Sequence, residues 1–134
     1  MVLRPALLDR RAVRLSAVEG RCACGAAGYT VSQAPDEVTE CNCTLCTKLG
    51  GRWAYYAPAD VALVGETIAF VRGDMAKPGL ATHHCARCGA ITHWAALDPT
   101  YARMGVNVRL LDPAVIEDAA IRRVDGLSWD KDAG

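Results

Sequence analysis

Cys41, Cys43 and Cys46 stand within six residues of one another in the run CNCTLC. Thiolates at such spacing suit zinc, and three from one short loop fill most of a tetrahedral shell while leaving one position open. A structural zinc has four protein ligands, whereas a catalytic zinc has three and keeps a place for water or substrate. A thiol reaching that place loses its proton readily, because the cation favours the anion. That open position is where chemistry is expected.

The other four cysteines form two pairs, Cys22 with Cys24 in CACG and Cys85 with Cys88 in CARCG. Both pairs end in CysGly. Glycine tolerates positive φ there, so the backbone is expected to fold its amide toward a metal-bound sulfur. These are the two knuckles of a closed Cys₄ structural zinc site. Such a zinc would staple distant parts of the chain and contribute folding free energy directly. Two Zn²⁺ per chain are therefore expected, the second at Cys41, Cys43 and Cys46, one ligand short. The alternatives for that cluster are a closed structural site completed by histidine, a redox-sensing cluster, or unligated thiols. His83, His84 and His93 read as core or supporting groups, with His84 the fourth ligand if the site is closed.

Short strands separated by turn signals must position these groups, which indicates a mainly β domain. Tyr29 and Val31 alternate in a strand leaving the first knuckle, and a turn at 34–37 precedes the strand that delivers Cys41. Gly50 and Gly51 break the chain before an aromatic strand at Trp53–Tyr56. The runs 61–64 and 67–72 are expected to pair as a hairpin about Gly65. Cys85 and Cys88 lie between two strands. Residues 104–111 read as one strand, followed by a helical turn with Asp112 as cap and Pro113 first. Residues 121–124 read as the last strand.

The totals agree with this picture. At 134 residues the chain is one domain in size, and its aromatic content of only 6% leaves the core to small and aliphatic side chains. Fifteen basic residues balance fifteen acidic ones, so the basic field of a nucleic-acid binder is missing. No stretch is long and apolar enough for a membrane span, and Arg4, Arg10, Arg11 and Arg14 interrupt any signal-peptide core. An odd count of seven cysteines in a soluble, cytoplasmic setting argues for metal over disulfides. The expected organisation is an N-terminal arm at 1–17, a single zinc-binding domain at 18–130 and a tail at 131–134.

The succession CACG, CNCTLC, HHCARCG and GVNVRLLD resembles the glutathione-dependent formaldehyde-activating enzyme family across roughly residues 19–129. The resemblance implies an Mss4-like complex β fold with short helical turns, stapled by zinc. It also implies a structural zinc on Cys22, Cys24, Cys85 and Cys88 and a catalytic zinc on Cys41, Cys43 and Cys46. The activity implied is that of a carbon-sulfur lyase joining a small thiol such as glutathione to a small aldehyde, formaldehyde. Asn42, Thr44 and Thr47 depart from residues common in the family, and Thr47 replaces an Arg that would pair with a substrate carboxylate.

Asn42, Thr47, Lys48 and Arg52 are then the candidate substrate-binding residues, with Lys48 and Arg52 compensating for the missing Arg. Trp53, Tyr55, Tyr56 and Trp94 are candidates to line a pocket over the open position, with at least two of the four expected in the core. Asn107 and Arg109 read as the polar face of a strand. Asp98 reads as a turn residue rather than a general base. Two rival functions remain, a zinc-stabilised interaction module and a redox sensor that releases zinc on oxidation.

Overall fold

A computed structural model describes residues 16–128. The arm expected at 1–17 falls almost wholly outside that range, and the tail at 131–134 entirely outside it. The described chain is mainly β, with ten strands, one α-helix and three single 3₁₀ turns. The strands are β1 (Val18–Arg21), β2 (Gly28–Val31), β3 (Glu37–Cys41), β4 (Trp53–Tyr56) and β5 (Val61–Val64). They continue with β6 (Thr67–Val71), β7 (Leu80–Cys85), β8 (Ile91–Ala96), β9 (Met104–Asn107) and β10 (Ala120–Val124). The helix, α1 (Thr44–Leu49), lies inside the cysteine loop.

Two sheets result. A small one has the order β1-β2-β5, and a seven-stranded one runs β10-β3-β4-β9-β8-β7-β6. Every pairing is antiparallel except that of β10 with β3, which brings Val124 opposite Cys41. Successive side chains on a strand face opposite ways, so each strand of the large sheet sorts its residues onto two faces. Val38, Ala54, Met104 and Val106 meet Tyr29 and Val31 of the small sheet, and with Val108 and Leu111 they form the buried core. The Tyr29 hydroxyl crosses to the large sheet and donates to the Asn107 carbonyl at 2.7 Å. A buried phenol that finds a partner in this way is a stabilising cross-tie.

On the other face, Tyr55, Gly105 and Trp94 stand in one row across β4, β9 and β8. The Trp94 indole lies flat on Gly105, where a Cβ would overlap it. Tyr55 meets that indole edge-on, with ring centroids 5.9 Å apart. The glycine in the middle of the row therefore makes room for the rings on either side.

The expected hairpin between 61–64 and 67–72 does not form. β5 pairs with β2 in the small sheet, and β6 pairs with β7 in the large one. The chain divides at Gly65, which packs against the backbone of Ala26 and Ala27 and leaves no room for a side chain. The strand expected over 104–111 stops at Asn107, whose side-chain oxygen accepts from the Arg109 amide and starts a 3₁₀ turn at Val108–Leu110. Asp112 does cap the next turn, its carboxylate accepting from the Ala114 amide behind Pro113.

Candidate active site

Cys22, Cys24, Cys85 and Cys88 converge with all four sulfurs within 4.8 Å of one another. The Cys22–Cys24 and Cys24–Cys85 sulfur separations are 3.6 and 3.7 Å. Sulfurs placed about 2.3 Å from a tetrahedral zinc are spaced about 3.8 Å apart, so this donor set fits the ion. The two knuckles are near copies. Cys22 and Cys85 each donate their amide at 2.8 Å, to Ala27 and Ala90, and Gly25 and Gly89 donate back to the carbonyls of Cys22 and Cys85 at 3.0 and 2.9 Å. Both glycines have φ near +80° (80° and 81°), a conformation other residues avoid. Their amides close the turns on carbonyl oxygen, not on sulfur as expected. The N–H groups that reach sulfur belong to Ala27, Arg87 and Cys88. Burial opposes ionisation of Cys22, yet the Ala27 amide and the neighbouring thiols hold it down at about 6. Cys24 is pushed up to about 11, although the Ala26 amide favours its thiolate, because burial and the sulfurs of Cys22, Cys85 and Cys88 oppose it. Four sulfurs gathered this closely suit a shared cation.

Cys41, Cys43 and Cys46 form the second cluster, again with sulfurs within 4.8 Å. Among the described residues no histidine or carboxylate joins it. Cys41 ends β3, and Cys43 is the N-cap of α1, its sulfur accepting from the Cys46 amide at 3.2 Å. The Cys43 amide in turn donates to Cys41 at 3.4 Å. The helix ends on Gly50 in the left-handed conformation, with Lys48 in its last turn. The Gly50 amide closes on the Cys46 carbonyl at 2.9 Å. This helix escaped the sequence reading, although Gly50 behind a basic residue is an ordinary stop signal. What hid the start was a sulfur in the capping role that oxygen usually fills.

The end of the described chain covers this loop. Asn42 donates to the Asp125 carboxylate at 3.1 Å and accepts from the Leu127 amide at 3.0 Å. Between those residues, buried Gly126 lies so close that a Cβ would sit 2.5 Å from the Cys41 sulfur and 2.9 Å from the Cys43 Cβ.

All three sulfurs open onto a cleft of about 330 Å³. Trp53, Tyr55, Trp94 and Tyr101 line it with Leu45, Met75, Leu80 and Val124, and three guanidinium groups, Arg72, Arg103 and Arg122, complete it. Arg72 is braced by the Asp74 carboxylate through two hydrogen bonds, at 2.7 and 2.6 Å. Arg103 stacks over the Tyr55 ring, 4.8 Å from its centroid. No acidic side chain lines this cleft among the described residues. Burial raises the Tyr55 hydroxyl above the usual phenol range, so it keeps its proton at neutral pH.

The expected substrate-binding residues, Asn42, Thr47, Lys48 and Arg52, do not line this cleft. Asn42 is spent on the covering segment, and Thr47 is exposed on α1 outside the cleft. Lys48 lines a different groove, with Arg21 and Arg109. Arg52 pairs with Glu40 at 3.1 Å. Of the four aromatics, Trp53, Tyr55 and Trp94 line the cleft, while Tyr56 packs on the core. His84 bonds Thr82 and the Gly89 carbonyl rather than the three-sulfur cluster. His83 and His93 stack on each other, 4.3 Å apart. Asn107 is buried, accepting from the Arg109 amide and donating to the Ile91 carbonyl, not on a polar face. Asp98 is a turn residue, holding the Thr100 amide and hydroxyl. The three arginines were missed because they sit 19 to 50 residues apart, just after β6, before β9 and on β10, and only pairing gathers them.

No helix among the described residues is long and apolar enough to cross a membrane. The fold is shared with a solved structure of a Rhodobacter sphaeroides protein, at a TM-score of 0.58 and 23% identity. That match covers 78% of this chain and 99% of the other. No curated protein matches the sequence significantly. The family model described as glutathione-dependent formaldehyde-activating enzyme matches residues 17–122, and the chain belongs to that family.

Proposed function

We propose that this protein is a carbon-sulfur lyase that joins a small carboxylate-bearing thiol, such as glutathione, to a small aldehyde, or parts them. The observation that carries the reading is a three-sulfur cluster with no fourth ligand among the described residues, facing a cleft with three guanidinium groups. Cys22, Cys24, Cys85 and Cys88 would hold a structural zinc, and Cys41, Cys43 and Cys46 a second one. That second ion supplies positive charge, which favours a thiolate over a thiol beside it.

The chain's own residues do the rest. Arg103 and Arg122, with braced Arg72, pair with substrate carboxylate, since guanidinium matches carboxylate oxygens two at a time. Trp94, Tyr55 and Leu80 wall the cleft against water. Adduct formation joins the thiol sulfur to the carbonyl carbon, and the thiol's proton ends on the former carbonyl oxygen. The protonated Tyr55 hydroxyl is the donor suited to that oxygen. A reducing cytoplasm suits seven cysteines that form no disulfide among the described residues.

The test is exchange spectroscopy with ¹³C-formaldehyde and glutathione, with and without the zinc-loaded protein. Faster interconversion of free formaldehyde and its S-hydroxymethyl adduct is expected. Unchanged exchange at full zinc loading would rule out this activity. A metal-stabilised interaction module is the second reading, favoured by the capping role of Cys43, and it predicts no exchange at all.

A further inference from the structure

We propose that the indole N–H of Trp53 donates a hydrogen bond to the Cys46 thiolate, which makes Trp53 a positioning residue of the three-sulfur centre. The proposal rests on the reading of that cluster as a metal centre. Trp53 is 2% exposed, yet its Nε1 has no hydrogen-bond partner among the described residues. A buried donor left unpaired is costly enough that native proteins seldom keep one without a reason. The ring cannot turn away to find another acceptor, because Gly51 lies flat against its six-membered edge, where any Cβ would collide. On β4, Trp53 is also pinned between Thr39 of β3 and Asn107 of β9.

The sulfurs show the complementary gap. Cys41 accepts the Cys43 amide and Cys43 accepts the Cys46 amide, while no backbone amide among the described residues donates to Cys46. Trp53 lines the same cleft as Cys46. A neutral thiol is a weak acceptor, whereas a thiolate is a charged one. The buried N–H of Trp53 and the sulfur of Cys46 are therefore matched as donor and acceptor across the cleft they share once that sulfur is a metal-bound thiolate. Each of the three sulfurs then accepts one N–H, and each gives up some electron density to it.

The experiment uses the wild-type chain loaded with ¹¹³Cd. The Trp53 indole proton, distinguished from those of Trp94 and Trp129 by Trp94→Phe and Trp129→Phe, should show scalar coupling to ¹¹³Cd through the N–H···S bond. Packing alone gives no such coupling. As a second measurement, Trp53→Phe keeps an aromatic ring and should weaken the less tightly held of two metal ions roughly ten- to a hundredfold. Two bound ions with no indole coupling and unchanged affinity in Trp53→Phe overturn the proposal while leaving the metal centre intact. A wild-type chain that binds a single ion overturns the centre and the proposal together.

Discussion

Removing one ligand from each cluster should have unequal effects, and the sequence separations say by how much. Cys24 and Cys85 are 61 residues apart and their sulfurs meet at 3.7 Å. Tying a loop of that length removes unfolded-state entropy worth about 4 kcal/mol on the relation used for cross-links. The same relation gives at most about 2 kcal/mol for the short loop between Cys41 and Cys46. Cys88→Ala should therefore lose about 4 kcal/mol, a large share of the roughly 5–15 kcal/mol typical of a domain. For a chain of this size that is a fall in Tm of about 14 °C, against about 7 °C for the smaller loss. Cys43→Ser is the matched variant, because its hydroxyl still accepts the Cys46 amide and keeps the helix cap. Thermal melts followed by circular dichroism, with zinc counted by release to a chelator, read both quantities. Cys43→Ser should retain one zinc and a cooperative transition. Equal losses of Tm, or cooperative unfolding kept in Cys88→Ala and lost in Cys43→Ser, would refute the assignment of staple and open centre.

Gly126→Ala should displace the Cys41–Cys43 loop and lose the second zinc while the first stays, read by metal analysis of the purified variant. Arg122→Ala should raise KM for a carboxylate-bearing thiol roughly tenfold or more, the scale of one lost charged hydrogen bond, and leave a thiol without carboxylate unaffected. His93 is fully buried, and burial first, then the facing His83, depresses its pKa to about 4. Its neutral form is the folded one, so its contribution is complete above about 6.5 and is lost as pH falls toward 4, a change of about 3 kcal/mol. Denaturant titrations at several pH values should show a shallower fall for His93→Gln than for wild type between those limits.

The parts of this molecule that were legible in advance are those where chemistry is local in sequence. CACG and CARCG announce a metal knuckle because sulfur, spacing and glycine all lie within five residues, and both turns form. Asp112 before Pro113 announced its own cap. Failures came where partners are chosen by the whole sheet. Val61–Val64 and Thr67–Val71 look like a hairpin by length and turn, but each finds a better partner in a different sheet. Lys48 and Arg52, expected to compensate for the Arg missing at Thr47, stand outside the cleft, Lys48 in the last turn of α1 and Arg52 against Glu40. Arg72, Arg103 and Arg122 carry no local signal. They share a cleft because β6, β9 and β10 belong to one sheet.

The parallel pairing of β10 with β3 sets a timetable for synthesis. Asn42 and the Leu127 amide that binds it are 85 residues apart, so the thiols at 41–46 leave the ribosome long before their cover exists. At 5–20 residues per second that interval is roughly 4–17 s. A metal staple on Cys22, Cys24, Cys85 and Cys88 would need nothing beyond Cys88, so it could close first and hold the sheet that later receives β10. Three neighbouring sulfurs meanwhile wait without their roof, open to oxidation or to the wrong metal. A metal centre at Cys41, Cys43 and Cys46 would thus be the last part of the domain to mature, and a nascent chain short of zinc would be exposed there first.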